Sequence, residues 1–150
     1  LLAGAEHAAY RGVRRVFGAR GGLGWLYELH LGAEGLITER AIYADVLTRI
    51  WELHQTGADP DALRDAYGKF LLMTNLSVTH PGDSLRGIQL YLWKKRGVFE
   101  NMVSRHYGPG TTVPESPIFS KLELSEEEIA EIEFRFEALI PYQKQGAPNL

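Results

Sequence analysis

Between Thr38 and Gly57 the apolar residues fall into two adjacent rows at helical spacing: Ile42, Val46, Ile50 and Leu53 in one, Tyr43, Leu47 and Trp51 in the other. Side chains three and four apart share one face of an α-helix, so this segment can bury its broad stripe only as a helix with neighbours around it. Thr38 is placed to cap its start, Glu39 stands in the first turn where the helix dipole favours an acid, and Gly57 closes it. A central helix of this kind commits the chain to a helical core.

The flanking sequence follows the same rules. A short helix is expected over about residues 23–31, ended by Gly32 and Gly35. Asp59-Pro60-Asp61 opens another, with an N-cap acid, proline at the first helical position and a buried face of Leu63, Ala66, Tyr67, Phe70 and Leu71. After the turn at His80-Pro81-Gly82, Asp83 or Ser84 caps a long helix expected to reach about Tyr107; Lys94-Lys95-Arg96-Gly97 interrupts its apolar pattern, where a kink or split is expected. Ser125-Glu126-Glu127-Glu128 is a capping-box pattern that opens a last amphipathic helix, which Pro141 ends. No run of strict alternation bounded by turn dipeptides announces a strand. The expected fold is therefore all-α, a compact bundle of about five to six helices. Its core is expected to hold Ile42, Val46, Leu47, Ile50, Trp51, Leu63, Phe70, Leu71, Ile88, Leu92, Phe99 and Met102.

Charge divides the ends of the chain. Residues 1–24 carry Arg11, Arg14, Arg15 and Arg20 against Glu6 alone, whereas residues 115–137 carry eight glutamates against Lys121 and Arg135. A first helix is expected over about residues 5–17, on which Arg11, Arg14 and Arg15 oppose an apolar face of Ala9, Val13, Val16 and Phe17. Gly18, Gly21, Gly22 and Gly24 follow, which means either a flexible joint or a backbone that something approaches closely; the expectation here is a hinge. Four regions result: a basic N-terminal arm and glycine hinge over 1–24, a helical core over 25–107, an extended connector over 108–124 rich in proline and glycine, and an acidic amphipathic helix with a tail over 125–150. The first residue is Leu1 rather than Met, as expected of a processed product or part of something longer.

Searches for chemistry end early. The chain has no cysteine, so thiol nucleophiles, disulfides, zinc ribbons and iron–sulfur clusters are excluded. Glu28 and His30, like Glu52 and His54, stand two apart, about 200° around a helix, and cannot chelate one metal together. The two Glu-Leu-His stretches form a faint internal echo. No Gly-x-Ser-x-Gly elbow is present, and the glycine cluster lacks the Lys-Ser/Thr ending of a phosphate loop. No catalytic residue, metal ligand, cofactor or small-molecule substrate is assigned on sequence.

The expectation that remains is a non-enzymatic structural or assembly subunit that self-associates, soluble and non-membrane, in cytoplasm or virion. Candidate contacts with nucleic acid or a partner are Arg11, Arg14, Arg15 and Arg20 on the arm and Lys94, Lys95 and Arg96 beyond it. Candidate interface residues are Ile129, Ile132, Phe136 and Ile140 on the last helix. A basic arm, helical body, connector and terminal helix resemble the helical coat or connector proteins of viruses, a likeness of architecture that implies oligomers and contact with packaged nucleic acid. The alternatives are a small adaptor that binds a protein partner and, behind it, an enzyme whose site is assembled in space.

Overall fold

The computed structural model describes residues 15–38, 40–57, 59–79, 83–106 and 118–144; the expected turn at 80–82 and residues 108–117 of the expected connector lie outside them. The fold is all-α. It comprises α1 (Trp25–His30), α2 (Ala44–Thr56), α3 (Pro60–Thr74), α4 (Leu76–Thr79), α5 (Asp83–Lys95) and α6 (Glu126–Glu137), with one short antiparallel pair, β1 (Val103–His106) and β2 (Ile118–Lys121). Two units divide it, Leu1–Leu71 and Leu72–Leu150.

In the first unit the helix ends at Gly57 and Asp59 form as their residues dictate. Gly57 takes a left-handed φ of 59° and returns its N–H to the Leu53 carbonyl at 3.1 Å, which closes α2. The Asp59 carboxylate accepts the Ala62 N–H at 2.8 Å and caps α3, with Pro60 at its first position. Thr38, expected to cap α2, does not reach it: its hydroxyl accepts the Arg40 N–H, a 3₁₀ turn over Ala41–Tyr43 intervenes, and α2 starts at Ala44 behind Tyr43 with no side-chain cap bond. Ile42, Tyr43, Val46, Leu47, Ile50, Ala66 and Phe70 are buried, while Trp51, Leu63 and Leu71 are half-buried. The Tyr43 ring meets Phe70 edge-on at 6.0 Å, and burial drives its phenol pKa well up.

The glycine cluster is packed. Arg20, Gly21 and Gly22 all take positive φ, and Gly21 and Gly22 are buried. A Cβ on Gly22 would lie 3.0 Å from the Phe70 ring and 3.1 Å from Leu47. Residues 15–17, expected to end a helix, are not helical: Val16 accepts the Glu34 N–H at 2.8 Å, and Gly18 donates its N–H to Gly35 at 2.8 Å and accepts from Ile37 at 2.9 Å, a parallel pairing in which Gly18 stands opposite Leu36. Beside it Glu28 is buried, with its carboxylate against the backbone of Gly18 and Gly24. Of the two reasons for so many glycines, close approach accounts for Gly18 and Gly22.

In the second unit the long helix expected to reach Tyr107 stops at Lys95. Gly97, with φ of 70°, donates to the Lys94 carbonyl at 2.9 Å, and Val98 donates to Trp93 at 2.9 Å. That pair of bonds is a Schellman motif, which satisfies the last carbonyls and turns the chain away. Residues 103–106, expected helical, are strand β1 instead, with Val103 opposite Lys121 and His106 opposite Ile118. Phe99, expected in the core, is about half exposed because it lies past the helix end, with its ring 6.0 Å from Trp93. Met102 is half-buried. The capping box at α6 forms as expected: Ser125 Oγ accepts the Glu128 N–H at 3.1 Å and Glu128 accepts the Ser125 N–H at 2.8 Å. Ile88, Leu92, Ile132, Phe136 and Leu139 are buried. Among the described residues no helix is long and apolar enough to cross a membrane.

Candidate functional site: an aromatic cleft in the first unit

Ala44, Leu47, Thr48, Trp51, His54 and Gln55 are spaced to share one face of α2, and that face floors two adjoining cavities of about 490 and 340 Å³. The wall opposite the larger cavity is the 34–38 segment, whose Glu34, Leu36 and Thr38 stand two apart as side chains on one face of an extended chain do. Arg15, Glu34 and Trp51 line both cavities.

Trp51 is held by a ring partner that lines the larger cavity with it. Its indole stacks on that of Trp25, with centroids 5.9 Å apart and planes 20° from parallel. Trp25 is only 2% exposed, so the half-buried Trp51 presents a fixed aromatic face. Thr48 is anchored through its hydroxyl, which donates to the Ala44 carbonyl at 2.8 Å. At the mouth Arg15 Nε lies 3.6 Å from a Glu34 oxygen, a long, solvent-exposed pair of the kind that adds little stability.

The far end of the smaller cavity carries His54. Its ring centroid stands 5.9 Å from that of His30, which brings together the two histidines of the sequence echo. His30 donates from Nδ1 to the Leu26 carbonyl at 2.6 Å. Burial, helped by the nearby His30, holds the His54 pKa below the ordinary value. Among the described residues no group of three or more histidine or acidic side chains could hold a metal ion.

The sequence-assigned residues disperse. Arg11 and Arg14 lie outside the described residues. Arg15 reaches the cleft, and Arg20 is exposed with a φ of 60°, rare for a residue with a side chain. Lys94 is exposed and Arg96 half-buried. Lys95 donates at 2.7 Å to the Glu133 oxygen that also accepts the Tyr91 hydroxyl at 2.5 Å, so α5 and α6 are joined through one carboxylate. These two donors pull the Glu133 pKa down, and burial with the adjacent carboxylate pushes Tyr91 up to about 12. Ile132 and Phe136 are buried within the chain itself, Ile129 is half-buried and Ile140 exposed. Burial of Ile132 and Phe136 thus needs no second subunit.

Sequence reading missed the cleft because Leu47 and Trp51 sit in the same apolar rows as the core. Only the hydroxyl at Thr48 and the half-exposed indole distinguish the open row from the closed one. In comparison with known proteins, no family model, no curated protein and no solved structure matches the chain.

Proposed function

We propose that the chain is a non-enzymatic assembly subunit that works by associating with protein chains, its own copies first. The observation that carries this is an exposed apolar face in the first unit. With Gly18 opposite Leu36, Phe17 stands opposite Gly35, and its ring lies so close that a Cβ there would come within 2.5 Å of it. Ile37 follows two residues on and shares that face. Phe17 is 47% and Ile37 69% exposed. Adjacent large apolar side chains left in water are what protein interfaces are made from.

One pairing favours a protein partner over nucleic acid. Lys95, assigned as a cationic contact on sequence, meets Glu133 of this chain at 2.7 Å. The test is sedimentation of the protein at low and high salt, with and without a labelled DNA duplex. The proposal expects self-association that survives high salt, because apolar contact strengthens rather than screens. A monomer that binds DNA with a steep salt dependence would overturn it and return the function to the basic arm.

A further inference from the structure

We infer that the cleft on α2 is a binding site for a small zwitterionic aromatic molecule, of the class of a free aromatic amino acid. The inference is independent of the assembly reading. The larger cavity, about 490 Å³, falls in the range of sites that enclose a small ligand. Its walls are apolar where a ring would lie: the stacked indoles of Trp51 and Trp25, with Leu36 and Leu47. A planar ring stacks against an indole better than a branched chain does. The hydroxyl of Thr48 adds a polar edge.

The polar end is set by Arg15 and Glu34, which line this cavity and stand 3.6 Å apart through a single nitrogen and a single oxygen. That contact uses Nε alone and leaves the guanidinium fork to take a carboxylate by two parallel bonds. It uses one Glu34 oxygen and leaves the other to accept from an ammonium. A ligand with both charges on one carbon, and a ring a methylene away, matches the two charges and the indole together. A simple anion would face the Glu34 carboxylate, and a simple cation the Arg15 guanidinium, so each half-ligand meets a repulsion that the zwitterion balances.

The experiment titrates the protein with L-phenylalanine, 3-phenylpropionate and phenethylamine, and follows tryptophan fluorescence excited where phenylalanine does not absorb. L-Phenylalanine should give a saturable change, and each half-ligand should bind about tenfold or more weakly, as expected when one charged hydrogen bond is lost. Arg15→Gln should weaken phenylalanine and phenylpropionate but leave phenethylamine equal or tighter, since the charge that repels it is gone; Glu34→Gln should weaken phenylalanine and phenethylamine and leave phenylpropionate equal or tighter. That crossed pattern cannot come from a misfolded variant, which would lose all three. Thr48→Trp, placed at an exposed position on the cleft wall, should abolish binding with the helical circular dichroism unchanged. The inference is overturned if no probe gives a saturable change up to about 10 mM, weaker than the millimolar end of ordinary affinity, or if the three bind alike. It is equally overturned if the two charge variants fail to cross.

Discussion

Gly22→Ala should destabilise the chain far more than Gly57→Ala, although both glycines have positive φ. An L-residue in the left-handed region costs about 1–2 kcal/mol, and a stiffer unfolded chain returns about 0.4–1. At Gly57 nothing lies within 4 Å of the added carbon, so backbone strain is the whole effect and the net cost is roughly 1 kcal/mol or less. At Gly22 the same carbon meets Phe70 at 3.0 Å and Leu47 at 3.1 Å, both buried, so neither ring nor branch can swing into solvent. Overpacking of that kind adds about 1–3 kcal/mol, for a total of roughly 2–4. Urea denaturation should show a midpoint lower by roughly 1–2 M for Gly22→Ala at a slope near 2 kcal/mol/M, and by about 0.5 M or less for Gly57→Ala. Equal losses at the two sites would refute the reasoning, because they would mean that Gly22 is needed for its backbone alone.

The remaining expectations concern the second unit and the histidine pair. Tyrosinate absorbance should show Tyr91 ionising near pH 12, seen as the difference between parent and Tyr91→Phe. Because its folded pKa is raised, Tyr91 supports the fold fully below the ordinary phenol value and loses that support as pH rises toward 12; Glu133, with a depressed pKa, supports it above the ordinary carboxylate value and loses that as pH falls. Thermal unfolding across pH should therefore fall off on both limbs, and Tyr91→Phe should flatten the alkaline one. Ser125→Ala should cost about 0.5–2 kcal/mol by urea denaturation, and Ser125→Asp should recover most of it. An NMR titration should place His54 below the ordinary imidazole value, and His30→Ala should raise it only partly, since burial is the larger cause. A depressed histidine stabilises above its ordinary pKa and less as pH falls, so the variant should narrow the acid-side loss.

Local signals carried most of the helical architecture in readable form. Pro60 after Asp59, Gly57 after Thr56 and the Ser125–Glu128 box each act within a few residues, and each formed the cap its residue types dictate. The break after Lys95 was visible as four non-apolar residues, but Gly97 as a Schellman terminus and 103–106 as a strand were not. Strand β1 exists by pairing with residues 118–121, a long-range partnership that no local pattern encodes. The Gly18–Leu36 bridge is of the same kind, and it turned glycines read as a hinge into positions of close approach. Half of the cleft was legible as the apolar rows of α2, whereas its opening depends on where the 34–38 segment lies. Arg15 was singled out for its charge, but its meeting with Glu34 across 19 positions followed from that same bridge.

The claim at the centre of this account is that Phe17 and Ile37 form an association surface. Sedimentation velocity of the parent beside the double variant Phe17→Ser, Ile37→Ser tests it most directly. The parent should associate reversibly as its concentration rises through the micromolar range, and the double variant should remain monomeric, with the parent's circular dichroism. A parent that stays monomeric at about 100 μM, a concentration at which even micromolar affinities are saturated, would contradict the account, as would a double variant that associates just as well.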